Sequence, residues 1–125
     1  MARLEHVNIT VPDAKATAAF LSRLLGWHVR WEGASLNEGY SVHVGEKDSY
    51  LALYSPKTAV DPAVPRYGNE AGLNHVGIVV DDLDAVEARV RDLGFETHSH
   101  ADYEPGRRFY FDGPDAVEYE MVCYD

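Results

Sequence analysis

The chain carries one short pattern twice. The segment 6–11 (HVNITV) precedes a helix-like run that ends at Gly26, and the segment 75–80 (HVGIVV) precedes a second run that ends at Gly94. The offset is 69 residues between the opening histidines and 68 between the glycines. Self-similarity at a fixed period determines the architecture, and two copies indicate a pair of modules of about 60 residues each. A strand histidine that is repeated in this way predicts a metal site between two half-domains.

The rest of the repeat is expected to hold without gaps at offset 68. This alignment places Gly45 on Gly113 and Ala52 on Glu120. Side chains alternate along a strand, so a slip of one residue would turn position 52 towards the helix.

Alternating apolar and polar residues predict strands, and apolar residues at helical spacing predict helices. For the first module we expect a strand over 6–11, a helix from 12–13 to Gly26, and strands over 27–31, 40–44 and 50–54. For the second we expect a strand over 74–80, a helix over about 82–93, and strands over 95–99, 108–112 and 117–123, with a polar loop over 100–107. The fold class is therefore α+β, with two tandem βαβββ modules in a single domain (module one about 1–55, linker about 56–72, module two about 73–125).

The first strand of each module has an apolar and a polar side. Val7, Ile9 and Val11 share one face, which we expect to pack against the helix of the same module. His6 and its counterpart His75 then lie on the opposite face. In an eight-stranded, pseudo-symmetric mixed sheet, that face would line a cup.

The amino-acid composition indicates which kinds of molecule the protein is not expected to bind. The chain has 21 acidic and 11 basic residues and a formal net charge of −10, which disfavours nucleic acid and anionic membrane surfaces. The single Cys123 excludes an internal disulfide and fits a reducing compartment. No apolar run approaches the roughly 20 residues that span a bilayer. We therefore expect a soluble cytoplasmic protein.

Three segments resemble the vicinal oxygen chelate superfamily, which includes glyoxalases, extradiol dioxygenases and fosfomycin and bleomycin resistance proteins. They are 4–9 (LEHVNI), 73–78 (LNHVGI) and the tail 109–121 (FYFDGPDAVEYEM). The family's tail usually reads Asp-Pro-Asp-Gly-Asn, two residues, then Glu. Here the turn departs from that pattern, while the spacing to Glu120 is kept.

The resemblance implies a divalent metal held by His6, His75 and Glu120. Ala52 occupies the position of the fourth ligand of glyoxalase I and cannot bind metal. Two histidines and one carboxylate suit Fe(II), Mn(II), Zn(II) or Ni(II) with open positions for substrate. This set is closer to that of extradiol dioxygenases and fosfomycin resistance enzymes. Glu118, on the same strand face, is the alternative carboxylate.

Catalytic candidates come from the later strands. Tyr50 and Tyr54 share the parity of Ala52 and are either substrate contacts and proton donors or ordinary strand aromatics. Arg108 is either a fork for a substrate carboxylate or a surface residue. His98 and His100 are expected to be solvent-exposed.

Two functions remain open on these residues. The first is a metal-dependent, glyoxalase- or dioxygenase-like enzyme for a small oxygen-chelating substrate. The second is a metal-free ligand-binding protein of the bleomycin-resistance type. A four-stranded module leaves a sheet edge unpaired, and short two-module chains of the family commonly dimerise, so we expect a homodimer.

Overall fold

The computed structural model describes residues 2–58, 67–103 and 106–124. The chain divides into two compact units, residues 1–61 (the first unit) and 62–125 (the second unit). The described elements of the first unit are β1 His6–Thr10, α1 Ala14–Leu25, β2 His28–Ala34, a 3₁₀ turn Leu36–Glu38, β3 Tyr40–Gly45 and β4 Tyr50–Ser55. Those of the second unit are β5 Val76–Val79, α2 Leu83–Asp92, β6 Thr97–Tyr103, β7 Gly106–Asp112 and β8 Glu118–Cys123.

Both units have the same sheet topology. The strand order is β1-β4-β3-β2 in the first sheet and β5-β8-β7-β6 in the second. The first strand of each unit pairs in parallel with the last, and the other neighbours are antiparallel. The predicted α+β class and the two βαβββ modules are confirmed, with a four-stranded mixed sheet in each.

The two helices begin in the same way. The carboxylate of Asp13 accepts a hydrogen bond from the backbone N–H of Ala16, and the carboxylate of Asp82 accepts one from Ala85. Each aspartate thereby satisfies an N–H that lacks a helical partner. Gly26 ends α1 with a φ of +73°, a left-handed conformation that glycine adopts without a steric penalty. No helix in the described ranges is long and apolar enough to cross a membrane.

The core of each unit lies between its helix and one face of its sheet. Ile9 and Val11 are buried as expected, but Val7 is 41% exposed. The expectation that Val7 packs under the helix is therefore wrong, because β1 is an edge strand and position 7 lies near its beginning. Further core side chains are Leu21, Leu24, Val42, Val44 and Leu53 in the first unit and Ile78, Val86, Val90, Phe109, Phe111 and Met121 in the second.

The prediction of a polar loop over 100–107 is wrong. β6 continues to Tyr103 and β7 starts at Gly106, so most of this stretch is strand. A bulge between His98 and Ala101 shifts the register, and Ser99 takes a φ of +56° there. Bulges hide a strand from pattern analysis because they interrupt the alternation of side chains. Residues 104–105 of this stretch, and 59–66 of the expected linker, lie outside the described residues.

The ungapped alignment of the two modules also needs a correction. Gly45 pairs with Tyr50, whereas Asp112 pairs with Glu118, so the counterpart of Gly45 is Asp112 and not Gly113. The turn between β7 and β8 (the second turn) is one residue longer than the turn between β3 and β4 (the first turn). In the first turn a backbone hydrogen bond joins Glu46 to Ser49. In the second turn the corresponding bond spans 113–117.

The alignment of Ala52 with Glu120 survives this correction. Ala52 lies opposite Asn8, and Glu120 lies opposite Gly77, which follows its histidine at the same distance. Strand pairing within each unit thus gives the two positions the same place in the sheet.

Candidate functional site

The sheet face turned away from the helix, here called the site face, is polar in the second unit. On β8, Glu118 and Glu120 alternate with the buried Tyr119 and Met121. On β7, Arg108 has the same orientation as Glu120, to which it is hydrogen-bonded. Strict alternation therefore collects ionisable side chains on one face while the other face builds the core.

Glu120 is the most constrained of these side chains, at 8% exposed. Its Oε2 atom accepts hydrogen bonds from Arg108 Nη1 at 2.8 Å and from the Tyr110 hydroxyl at 3.1 Å. Its Oε1 atom lies 3.3 Å from Nε2 of His75. One carboxylate oxygen is thus anchored by the protein, while the other faces the histidine.

The other ring nitrogen of His75 is engaged by Tyr67. The Tyr67 hydroxyl lies 3.0 Å from Nδ1 of His75 and donates to Oε1 of Glu118 at 2.7 Å. A hydroxyl has one proton to donate, so its oxygen accepts from Nδ1–H in this arrangement. Nε2, the other ring nitrogen, faces Oε1 of Glu120. Sequence analysis missed Tyr67, which falls in the predicted linker and has no periodic context.

His75 and Glu120 fit as two ligands of one metal ion. Two donors at about 2.1 Å from an ion, separated by an angle near 100°, lie about 3.2 Å apart. The observed separation of 3.3 Å agrees with this. A histidine ligand whose second nitrogen is hydrogen-bonded, and a carboxylate whose second oxygen is anchored, are also typical of metal sites.

A second group of ligand atoms lies on the same face. Nε2 or Nδ1 of His98 and one carboxylate oxygen each of Asp112 and Glu118 all lie within 4.8 Å of one another. The side chains of His98 and Asp112 are 42% and 54% exposed, which agrees with the expected exposure of His98. Neither the bulge that places His98 nor the longer turn after Asp112 was foreseen, so this group was missed.

The site face of the first unit is aromatic. The Tyr50 ring stacks on His6 at 4.9 Å and on His43 at 4.8 Å, and its hydroxyl donates to Oε1 of Glu5. Burial and the Glu5 carboxylate raise the pKa of Tyr50. Burial also lowers the pKa of His43, and the charges of His6 and Arg30 lower it further.

The residues predicted as metal ligands do not all lie in one unit. His75 and Glu120 lie together in the second unit, and His6 lies in the first, where its Nδ1 is 2.9 Å from a Glu5 carboxylate oxygen. Ala52 is 3% exposed and lies opposite His43.

The remaining two catalytic candidates have protein partners. The Tyr54 hydroxyl donates to the Leu36 carbonyl at 2.8 Å. The Arg108 guanidinium, for which the sequence left either a substrate fork or a surface role open, pairs with the Glu120 carboxylate.

A further polar cluster lies on the helix side of the second unit. The Glu87 carboxylate accepts hydrogen bonds from Arg91, Thr97 and His100 and lines a cavity of about 380 Å³. Burial acts to raise the pKa of Glu87, but the hydrogen bonds from Thr97 and His100 outweigh it and lower the pKa.

Solved structures with the same fold include members of one broad superfamily. A glyoxylase/bleomycin resistance protein/dioxygenase domain from Frankia sp. is 18% identical, with a TM-score of 0.84 over 100% of this chain and 99% of that chain. A glyoxalase family protein from Enterococcus faecalis is 24% identical, with a TM-score of 0.78 over 96% of each chain. A variant of the fosfomycin resistance protein FosX from Listeria monocytogenes, complexed with Mn(II) and a dihydroxypropylphosphonic acid, is 18% identical, with a TM-score of 0.74 over 98% of this chain and 92% of that chain.

Sequence comparison gives the family directly. A search of curated proteins returned no match. The sequence profile of the glyoxalase/bleomycin resistance protein/dioxygenase superfamily matches residues 5–111. With that match and the repeated βαβββ unit, the chain belongs to this superfamily, which is the vicinal oxygen chelate superfamily.

Proposed function

We propose that this protein is a metalloenzyme that acts on a small substrate through two neighbouring oxygen atoms. His75 and Glu120 would hold the divalent metal, with His6 as the third ligand because it is the counterpart of His75 in the repeat. The observation that carries the proposal is the divided Glu120 carboxylate, with Oε2 anchored by Arg108 and Oε1 facing His75 Nε2 at 3.3 Å. When bound, the metal would polarise a substrate oxygen as a Lewis acid.

The charge of the site suits a substrate that develops negative charge on oxygen. Glu120 is the one carboxylate among the proposed ligands, and Arg108 lies 2.8 Å from it. Since the guanidinium balances that carboxylate, Glu118, 3.8 Å from Nδ1 of His75, is the nearest other carboxylate, and a divalent ion would keep part of its charge. An enolate, alkoxide or catecholate oxygen would then bind favourably, whereas a neutral apolar ligand would gain nothing.

Arg108 and Tyr110 would act as positioning residues for Glu120. Both donate to Oε2, and the edge of the Tyr110 ring contacts His75 with 5.5 Å between ring centroids. Holding both ligands from the side leaves their facing atoms, Glu120 Oε1 and His75 Nε2, fixed before an ion binds. Such outer contacts are typically worth a factor of about 10–100 in metal affinity or activity.

Of the two tyrosines, Tyr50 keeps a proposed role in the chemistry. A tyrosine hydroxyl is protonated at neutral pH, and the pKa of Tyr50 is raised further, so Tyr50 would donate a hydrogen bond or a proton, as it does to Glu5, and would not act as a base. Tyr54 donates to the Leu36 carbonyl, and we therefore assign it the support of the turn at 36–38.

We further propose a homodimer in the cytoplasm. β1 and β5 are edge strands of their sheets, and Val7 and Val79 on them are 41% and 63% exposed. Exposed apolar edges favour a partner strand or surface, and a second copy would supply one. Sedimentation at micromolar concentration should give about twice the chain mass of 13.9 kDa. A mass of one chain would contradict the dimer.

Metal content tests the enzyme proposal. Mn(II) is the first ion to supply, because the FosX variant of the same fold is complexed with Mn(II). Fe(II), Zn(II) and Ni(II) follow. Purified wild type should bind Mn(II), and His75→Ala and Glu120→Gln should each weaken binding at least tenfold. His28→Ala is the matched control, since His28 is an exposed histidine on β2, at the opposite edge of the first sheet from His6 on β1.

Two results would overturn the proposal. One is Mn(II) affinity that is unchanged in His75→Ala and Glu120→Gln. The other is a wild type that binds none of the four ions, which would favour the metal-free binding protein. His6→Ala, measured in the same series, tests the third ligand independently.

A further inference from the structure

We propose that His98, Asp112 and Glu118 form a second divalent-metal site, distinct from the pair His75 and Glu120. Its three ligands all belong to the second unit, so the site is complete there. The proposal goes beyond the function assigned above, because none of the three residues is a ligand in that assignment. The ion that we expect is Zn(II), given one imidazole nitrogen and two carboxylate oxygens.

Three neighbouring strands bring the ligands together. Asp112 at the end of β7 lies directly opposite Glu118 at the start of β8, and His98 on β6 lies opposite Tyr110, two residues before Asp112. Their ligand atoms lie within 4.8 Å of one another. Ligands of one Zn(II) ion lie about 3.0–3.5 Å apart, so the most distant pair of ligand atoms must approach by up to about 1.5 Å. Exposed side chains such as His98 and Asp112 can do this by small rotations.

Neighbouring side chains already orient two of the proposed ligands, His98 and Glu118. Nδ1 of His98 lies 2.9 Å from the Ser99 hydroxyl oxygen, and its ring stacks on Tyr110 with an interplanar angle of 19°. Nε2 of His98 is consequently the nitrogen that faces Asp112, at 4.0 Å from Oδ2. Glu118 is held from the other side by the Tyr67 hydroxyl. Hydrogen bonds to the outer atoms of ligands are the usual support of a metal site.

The charges of the cluster also favour a cation. Two carboxylates directly opposite each other on neighbouring strands repel, and an ion bound between them would remove that repulsion. Glu118 is 13% exposed, so solvent screens its charge poorly, and Nδ1 of His75 lies 3.8 Å from its Oε1 atom. The openness of His98 and Asp112 gives an ion access from solvent.

The first unit shows that the shared backbone does not by itself create this cluster. By strand pairing, the counterparts of His98, Asp112 and Glu118 are Trp31, Gly45 and Tyr50. None of these three is a common metal ligand. The cluster is therefore a property of the side chains that the second unit carries at these positions.

Zinc titration of the metal-stripped, full-length protein tests the site. The probe is Zn(II) alone, followed by calorimetry, with the zinc-to-chain ratio measured after dialysis. His98→Ala and Asp112→Asn should each weaken one binding event at least tenfold and lower the ratio by one. His28→Ala, the same change at another exposed strand position, should bind as wild type does. Melting curves identify any variant that has not folded, and the isosteric Asp112→Asn guards against that outcome for His98→Ala.

The two metal proposals fail separately. His75→Ala should keep the binding event that His98→Ala removes, and the reverse should also hold. Wild-type zinc affinity and ratio in both His98→Ala and Asp112→Asn would overturn the second site, whatever His75→Ala does. Loss of all zinc binding in His75→Ala alone would overturn it as well, because the ion would then belong to the first site.

Discussion

Replacing Arg108 with methionine tests the role of the ion pair that holds Glu120. Arg108→Met keeps much of the apolar stem of the side chain and removes the guanidinium. The Glu120 carboxylate would keep the Tyr110 hydroxyl as a donor and Nε2 of His75 at 3.3 Å, but it would lose the guanidinium that balances its charge at 2.8 Å. We expect a large loss of stability at neutral pH, because a buried carboxylate that loses its guanidinium partner is much costlier than a buried pair.

The magnitude follows from burial. Both side chains of the pair are 11% exposed, so solvent screens the interaction little. Removing one member of a buried pair costs about 3–5 kcal/mol. Since Tyr110 still donates and water can enter the space that is left, we expect a loss of about 2–4 kcal/mol. For a chain of this length that lowers the melting temperature by about 8–16 °C.

Urea unfolding followed by circular dichroism measures the loss, and the neighbouring arginine provides the control. Arg107 pairs with Asp84 at 3.4 Å, but their side chains are 41% and 82% exposed. Arg107→Met should therefore cost less than about 1 kcal/mol. The double variant Arg108→Met/Glu120→Gln should recover at least about 1 kcal/mol relative to Arg108→Met, because it buries no charge. Equal losses at positions 107 and 108, or no recovery in the double variant, would refute this account of the pair.

Three further changes probe other features. Gly45→Ala should destabilise the first unit by about 1–3 kcal/mol, because the added Cβ would overlap the Ser49 carbonyl. Gly77→Ala should be tolerated, because its Cβ would lie 3.5 Å from the nearest atom. Melting curves that rank the two variants in the other order would contradict this account of the packing. The pKa of Glu87 is lowered, so the stability that its carboxylate contributes is present above the ordinary glutamate pKa of 4.5 and is lost as the pH falls further. The difference in stability between wild type and Glu87→Gln should therefore be wide at pH 7 and narrow below pH 4.5. A difference that stays constant with pH would contradict this role of Glu87. Ala52→Glu places a carboxylate opposite His43 on the site face; it should tighten Mn(II) binding if the ion lies there, and a lower melting temperature with unchanged affinity would show that it does not.

Much of the fold could be predicted because its signals are local. The aspartates before each helix and the glycine after the first are capping residues that act within a few positions of sequence. Strand alternation likewise needs only neighbouring residues, and it located each strand that the structure describes, with errors at the strand ends. The prediction of a loop over 100–107 was wrong because a bulge at His98–Ala101 interrupts the alternation and conceals the second part of β6.

The contacts of the candidate site were less accessible to sequence reasoning, because they depend on residues distant in the chain. Tyr67 reaches Glu118, 51 positions away, and no periodicity marks a tyrosine in a segment rich in proline and glycine. The pairing of Arg108 with Glu120 depends on the β7–β8 register, and the sequence left Arg108 as either a substrate fork or a surface residue. Parity on a strand indicates which side chains share a face, but not which of them contact each other.

The sequence alignment paired Ala52 correctly with Glu120 although it paired Gly45 wrongly with Gly113, and the strand pairing of the two units explains both outcomes. The additional residue of the second unit lies in the turn at 113–117, between two strands, where it changes neither strand's pairing with its other neighbour. β4 and β8 take their register from β1 and β5, so Ala52 and Glu120 keep equivalent places whatever the turn contains. On that common frame one unit carries aromatic rings and the other carboxylates. The ring stack around Tyr50 suits contact with an organic substrate, whereas the carboxylates suit a cation. Because strand pairing fixes the backbone of both units, exchanging side chains on the site face alters their chemistry without altering their fold.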